Sequence, residues 1–128
     1  MYLEDYNPHW RKGHFYEYEK KREIYASLWK SATKRRITVI TGTRRVGKTT
    51  IMKQIINELI KQGVPRYNIL YFSFDEERPS LREVIREYEE KLGNDISLAG
   101  KKYYVFLDEI QKLDNWHEQI KYLSLIHI

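Results

Sequence analysis

Residues 37–50 read ITVITGTRRVGKTT, and this stretch decides the fold. Residues 37–41 are all β-branched, which is typical of a strand buried inside a parallel sheet. The run stops at Gly42, and after Thr50 apolar residues recur at the spacing of an amphipathic helix. The pattern therefore predicts a strand, a loop bounded by glycines and a helix in direct succession. The apolar helix residues are Ile51, Met52, Ile55, Ile56, Leu59 and Ile60.

The predicted loop has the complete pattern of a phosphate-binding P-loop, Gly42-Thr43-Arg44-Arg45-Val46-Gly47-Lys48-Thr49. Glycines allow the backbone to curl so that its N–H groups point at phosphate oxygens, and the following helix adds the positive end of its dipole. Lys48 can reach the β- and γ-phosphates, and the Thr49 hydroxyl can ligate magnesium. We expect Thr50 near the α-phosphate. The sequence thus predicts that residues 42–50 bind a nucleoside triphosphate with Mg²⁺.

Two other groups of polar residues near this motif are less informative. Arg44 and Arg45 occupy loop positions where only the backbone is required, so screening of phosphate charge, contact with an acidic neighbour and simple solvation all fit them. The four histidines do not cluster at the spacing of metal ligands, which argues against a metal site built from them.

A second motif follows an apolar strand, in the sequence Val105-Phe106-Leu107-Asp108-Glu109. A strand that ends in acids delivers them to the crevice at the carboxyl edge of a parallel sheet, where such folds bind ligands. We expect Asp108 to hold the magnesium shell and Glu109 to polarise the attacking water. Lys48 and Glu109 are therefore the candidate catalytic residues, and Asp75, at the end of another predicted strand, is a weaker candidate.

The rest of the chain alternates between predicted strands and helices, which favours a parallel α/β sheet. Residues 69–74 and 103–107 form the second and third strands, and a helix starts at Trp116. Ser80 and Glu83 form a capping box, in which side chains satisfy free helix amides. Gly63 and Gly93 end the first two helices of the domain. The residues on the apolar face of the helix after Ser80 are Leu81, Val84, Ile85, Tyr88 and Leu92.

The composition is that of a globular protein rather than a membrane or disulfide-rich protein. The chain has 128 residues, of which 41% are hydrophobic and 32% charged, and it contains no cysteine. No run approaches the roughly 18 apolar residues of a membrane span, and we expect a cytoplasmic protein without membrane contact. The net charge of +5 is compatible with nucleic-acid binding. The charges are interspersed, however, and the densest basic stretch, residues 30–36, leads into the P-loop, so a triphosphate explains it better.

These residues resemble those of prokaryotic AAA-type ATPases, in particular the group whose ATPase domain precedes a C-terminal domain of uncertain role. The resemblance covers residues 1 to about 122. It implies ATP as the nucleotide, Lys48, Thr49, Asp108 and Glu109 in the roles given above, and an assembly that can include homo-oligomers. The segments that carry it are Asn7-Pro8-His9-Trp10, residues 41–50, Tyr71-Phe72-Ser73-Phe74-Asp75, and residues 106–113 with Trp116 shortly after.

The resemblance also implies that the parent protein is longer than this sequence. Proteins of that group add a polar sensor residue, an arginine finger and a helical lid, all of which would lie beyond residue 128. Their fourth strand lies between the P-loop strand and the Asp-Glu strand. We therefore expect these two strands to be separated here, unless they pair directly or the chain's last residues fill the gap. We expect residues 1–128 alone to be marginally stable and inactive as an ATPase.

The last six residues, 123–128, match one reading frame of CTGTCTCTTATACACATC, which resembles a transposon end used to fragment DNA for sequencing. We expect them to be a non-native tail. The predicted organisation is a helical lead-in over residues 1–34, a partial P-loop ATPase domain over 35–122, truncated after the Asp-Glu strand, and this tail over 123–128.

The function expected from the sequence is Mg²⁺-dependent ATP hydrolysis by a water molecule that Glu109 orients. Two alternatives remain open. One is a nucleotide-dependent switch that acts on protein or DNA with little turnover. The other is a small-molecule kinase, which would need a pocket for a phosphate acceptor that the sequence does not show.

Overall fold

The structure, a computed structural model, describes residues 2–17, 37–42, 48–96, 101–120 and 124–127. The predicted loop residues from Thr43 to Gly47 lie outside the described residues. The predicted helical lead-in, residues 1–34, is described only over residues 2–17, where α-helix is limited to Leu3–Tyr6 and residues 11–17 are not helical.

Strands and helices alternate along the described chain. In order they are α1 (Leu3–Tyr6), β1 (Ile37–Gly42), α2 (Lys48–Lys61), β2 (Ile69–Ser73), α3 (Leu81–Leu92), β3 (Tyr103–Asp108), α4 (Trp116–Ile120) and β4 (Ser124–His127). Short 3-10 helices cover Pro8–Trp10, Arg66–Asn68 and Ile110–Lys112. The expected α/β class, a parallel sheet flanked by helices, is confirmed.

The sheet has the strand order β2-β3-β1-β4, and every neighbouring pair is parallel. In its register Gly42 of β1 lies opposite Asp108 of β3, and Ser73 of β2 lies opposite the same Asp108. The carboxyl ends of three strands therefore meet at one edge of the sheet. This alignment positions the candidate site.

The expected separation of the P-loop strand from the Asp-Glu strand is wrong for this structure. β1 pairs directly with β3 over six residues, from Ile37 opposite Tyr103 to Gly42 opposite Asp108. Two apolar strands side by side satisfy each other's backbone groups, each of which would cost about 1–3 kcal/mol if buried without a partner.

The chain's last residues also take a place in the sheet. The sequence predicts a non-native tail over residues 123–128, yet residues 124–127 form β4, which pairs with β1, with Thr38 opposite Ser124 and Thr41 opposite His127. It lies on the side of β1 away from β3, so it does not fill the position between them.

Hydrophobic residues cover both faces of the sheet because strand side chains alternate. On one face, Ile40 and Phe106 pack with Met52, Ile56 and other buried residues of α2. On the other face, Val39 and Val105 pack in a second cluster with residues of α1, α3 and α4. Coverage of both faces is typical of a parallel sheet.

The helix ends predicted from the sequence are confirmed. The Ser80 hydroxyl accepts a hydrogen bond from the Glu83 backbone N–H at 3.1 Å, and Gly93 ends α3 with φ +78°. Gly63 has φ +93°, and Val64 N–H closes the end of α2 by donating to the Leu59 carbonyl. Both glycines adopt the left-handed conformation that a side chain would strain.

The N-terminal segment lies along β2. The Asn7 amide donates to the Tyr71 carbonyl at 3.0 Å, and its oxygen accepts from the Tyr71 N–H at 2.7 Å. Trp10 Nε1 donates to the Ile69 carbonyl at 2.8 Å, and His9 Nε2 lies 2.8 Å from the same oxygen. The Asn7-Pro8 dipeptide predicts a turn. The bonds from Asn7 to Tyr71, sixty-four residues away, come from the tertiary fold.

His9 is fully buried, and its contacts determine its tautomer. The Ile69 carbonyl can only accept, so Nε2 carries the proton and Nδ1 accepts from the Tyr16 hydroxyl at 2.5 Å. Burial lowers the pKa of His9 to about 4, and the nearby His14 and Arg66 act in the same direction, whereas the bond to Ile69 opposes them.

We expect acid to destabilise the protein through His9. In the unfolded chain His9 becomes protonated below the ordinary histidine pKa of about 6.5, whereas in the folded chain it stays neutral down to about pH 4. The free energy of unfolding therefore falls as the pH falls through this window. The loss between pH 7 and pH 5 should be about 2 kcal/mol. Urea unfolding of the wild type and of His9→Gln at both pH values measures it. An equal loss in both proteins would show that His9 is not the cause, and His14→Gln serves as a histidine control.

Candidate functional site

The candidate site lies where β1 and β3 end and α2 begins. Gly42 and Asp108 face each other in the sheet, and α2 starts at Lys48. The strand and the helix that the sequence predicts on either side of the loop in residues 37–50 are therefore both present. The Lys48 side chain and residues 43–47 lie outside the described part, so the structure gives no geometry for them.

Asp108 and Thr49 meet at this edge. The Thr49 hydroxyl donates to Asp108 Oδ2 at 2.9 Å, and Asp108 is only 4% exposed. Alternation along β3 explains the contact, since Tyr104 and Phe106 pack in the cluster with α2 and Asp108 follows on the same face. The structure thus brings together the two residues that we expected to hold magnesium.

Tyr71 also reaches Asp108, which the sequence did not predict. Its hydroxyl donates to the same Oδ2 atom at 2.6 Å. Tyr71 lies opposite Phe106 in the register, two residues before Asp108 on the neighbouring strand, a diagonal that a tyrosine side chain can span. Burial raises the pKa of Tyr71, and the negative charge of Asp108 adds to that effect. The signal available in the sequence was a polar aromatic residue, Tyr71, on the face of β2 that packs against α2.

Glu109 leaves the strand with a left-handed backbone, at φ 56° and ψ 34°. Such a conformation costs a non-glycine residue roughly 1–2 kcal/mol, and strain of this kind is concentrated at functional sites. The Glu109 carboxylate accepts from Gln111 Nε2 at 3.3 Å, and Lys112 Nζ lies 3.9 Å from it. The Glu109 carboxylate, the predicted catalytic group, therefore lies beside an amide and a cation and directly follows Asp108 in the chain.

Asp75, the weaker candidate, lies after β2 and pairs with Lys112. The same lysine lies near Glu109, so Lys112 stands between these two carboxylates. Asp75 is largely exposed, at 61% of its side chain. Among the described contacts, Asp75 takes part in this surface ion pair, whereas Asp108 accepts a hydrogen bond from Thr49.

A cleft of about 240 Å³ opens beside Thr49. One side comes from the N-terminal segment and the other from α2 and β2. Lys53 Nζ lies 5.6 Å from the centre of the Tyr16 ring at this cleft. Its lining residues are Asp5, Tyr6, Pro8, Tyr16, Thr49, Lys53 and Tyr71.

Comparison with known proteins identifies the family. The profile of an AAA domain matches residues 34–125, a range that contains the P-loop motif, Asp108 and Glu109. The chain belongs to this family of AAA domains. The AAA domain gives the chain an ATPase-like, nucleotide-binding character.

Curated relatives of this AAA domain carry no functional description. An uncharacterized protein of Haemophilus influenzae is 29% identical over 89 residues, which are 70% of this chain and 22% of that protein. One uncharacterized protein of Methanocaldococcus jannaschii is 36% identical over 89 residues, which are 70% of this chain and 19% of that protein. A second uncharacterized protein of the same organism is 32% identical over 117 residues, with 84% of this chain and 24% of that protein covered. The chain thus spans about a quarter or less of the length of these relatives. No solved structure gives a significant match.

The helices of the AAA domain are short or amphipathic. Within the described ranges, none is both long and apolar enough to cross a bilayer.

Proposed function

We propose that the complete protein binds ATP with Mg²⁺ and hydrolyses it. The observation that carries this proposal is the hydrogen bond from Thr49 to the buried Asp108, at the edge where the P-loop strand and the Asp-Glu strand end together. A hydroxyl on the first turn of a helix and a carboxylate on the adjacent strand are the pair that P-loop ATPases use around Mg²⁺.

The donor set supports magnesium rather than a softer metal. Thr49 and Asp108 offer oxygen ligands only, and Mg²⁺ is usually bound by one or two carboxylates together with water and substrate phosphates. Among the described residues, no group of three or more histidine, aspartate or glutamate side chains is placed to hold a metal. The cation would therefore be shared between these residues and the nucleotide, where it neutralises phosphate charge.

Phosphate binding, cation binding and proton transfer are then assigned to different residues of this chain. Lys48 and the backbone of residues 42–50 hold the phosphates, and Thr49 can present a lone pair to the cation while its hydroxyl proton stays in the hydrogen bond to Asp108. Glu109 orients a water molecule and accepts its proton as the water oxygen bonds to the γ-phosphorus. The bond to the bridging oxygen breaks in the same step, and ADP and phosphate leave.

The cleft beside Thr49 supports a second candidate, transfer of the γ-phosphoryl group to a small molecule. It touches Thr49, on the metal side of the phosphate site, and its walls are aromatic and charged, although its volume of about 240 Å³ is below the roughly 300 Å³ at which ligand pockets usually begin. A kinase needs an acceptor for turnover, whereas an ATPase needs only water. Release of phosphate from ATP and Mg²⁺ alone, measured with and without DNA, separates hydrolysis from phosphoryl transfer and from a switch with little turnover.

Replacement of Asp108 by Asn tests the magnesium assignment. We expect the Mg²⁺ concentration that half-saturates ATP turnover to rise by at least about tenfold, because the amide keeps the size of the side chain but loses its charge. Magnesium titrations of phosphate release in the complete protein measure the change. Asp114→Asn, an exposed residue in the same segment, is the matched control. An unchanged titration in Asp108→Asn would remove Asp108 from the magnesium site.

A further inference from the structure

Tyr71 connects the candidate magnesium ligand to the neighbouring strand. Among the described residues, Asp108 Oδ2 accepts hydrogen bonds from the Thr49 hydroxyl at 2.9 Å and from the Tyr71 hydroxyl at 2.6 Å. The two donors come from different elements, α2 and β2. Together they hold Oδ2 of a carboxylate whose other oxygen, Oδ1, is also buried.

The Tyr71 hydroxyl is a dependable donor in this position. A carboxylate can only accept, so the phenol must keep its proton for the bond to exist. A neutral phenol bonded to a buried carboxylate forms a short, charge-assisted hydrogen bond.

The backbone of Tyr71 is held as firmly as its side chain. The buried amide of Asn7 bonds both the N–H and the carbonyl of Tyr71 on the outer side of β2. On the inner side Tyr71 pairs with β3, opposite Phe106. Because the backbone of Tyr71 is fixed on both sides, its ring can hold the Asp108 carboxylate in one orientation.

We propose that Tyr71 is a positioning residue that orients the Asp108 carboxylate for Mg²⁺, an inference that rests on the proposed function. Partners that hydrogen-bond to a metal ligand orient it and tune its basicity, and their loss typically lowers metal affinity about 10–100-fold. Tyr71 does not touch the nucleotide in this proposal. It acts through Asp108 alone.

Tyr71→Phe in the complete protein tests the proposal. The variant removes one oxygen atom and leaves the ring in place. We expect the Mg²⁺ concentration needed for tight ATP binding, measured by calorimetry, to rise about tenfold or more. ATP binding in excess chelator, without Mg²⁺, should stay at the wild-type level, and turnover at saturating Mg²⁺ should largely recover. A general loss of structure would not produce this selective pattern.

Tyr88→Phe is the matched control. Its hydroxyl is also buried and donates to a backbone carbonyl, that of Tyr67, away from Asp108. The control should leave the Mg²⁺ titration unchanged. In the double variant with Asp108→Asn, Tyr71→Phe should add little further loss, because both changes act on the same carboxylate.

The outcomes separate this inference from the proposed function. A wild-type Mg²⁺ titration in Tyr71→Phe, or equal shifts in Tyr71→Phe and Tyr88→Phe, would overturn the positioning role while leaving the ATPase proposal intact. A wild-type protein that binds ATP equally well with and without Mg²⁺ would overturn the proposed function itself.

Discussion

Lys48→Ala is expected to abolish ATP binding in the complete protein. Lys48 begins α2, where the positive end of the helix dipole faces the ligand, and its ammonium group is the point charge of the P-loop pattern. Alanine leaves the β- and γ-phosphates without that partner in a site built for negative charge. A charge-assisted hydrogen bond is roughly twice as strong as a neutral one, and Lys48 serves two phosphates, so we expect affinity to fall by at least about 100-fold, or about 2.7 kcal/mol.

Calorimetric titration with ATP and Mg²⁺ measures this loss. Lys61→Ala is a suitable control because it removes the same charge from the opposite, exposed end of the same helix. The control should bind ATP like the wild type. Unchanged affinity in Lys48→Ala would reject the role assigned to Lys48 and, with it, the reading of residues 42–49 as a working phosphate site.

Glu109→Gln is expected to separate binding from chemistry. Glutamine has the same shape and can keep the contact with Gln111, but it is a very poor base for the proton of the attacking water. Loss of a general base typically costs about 10²–10⁴ in rate, so turnover should fall by that factor while ATP affinity stays within about twofold of the wild type. The left-handed backbone at Glu109 does not depend on the charge, so the variant should fold normally.

Single-turnover phosphate release and calorimetry on the same preparation provide the two readouts. Glu118→Gln, an exposed glutamate on α4, controls for the change of residue type. Hydrolysis at the wild-type rate in Glu109→Gln would show that another group activates the water, and the pair formed by Lys112 and Asp75 would then be the next place to look.

The sequence predicted the elements of the fold well because each has a local cause. The β-branched run ending at Gly42 became β1, and the Ser80 and Gly93 signals became the two ends of α3. The meeting of Thr49 with Asp108 was also predictable, since a helix that follows one parallel strand and an acid that ends another converge at the same edge.

The features that the sequence missed depend on contacts between distant segments. Nothing in residues 69–74 indicates that Tyr71 will reach across to β3, because that contact follows from the strand order and the register. The order itself was expected from a resemblance, and β1 and β3 paired directly instead. Asn7 gave a turn signal, whereas its partner is the backbone of a strand sixty-four positions later.

The pairing of Asn7 with Tyr71 has a consequence for how molecules of this protein behave towards one another. β2 is the outermost strand on its side of the described sheet, and an exposed strand backbone is a template on which another chain can add and start to aggregate. A single asparagine amide, which offers a donor and an acceptor together, occupies the position where the next strand would bond. The N-terminal segment therefore covers this edge of the sheet at Tyr71, and its removal would leave the Tyr71 backbone open to pairing with a strand of another molecule.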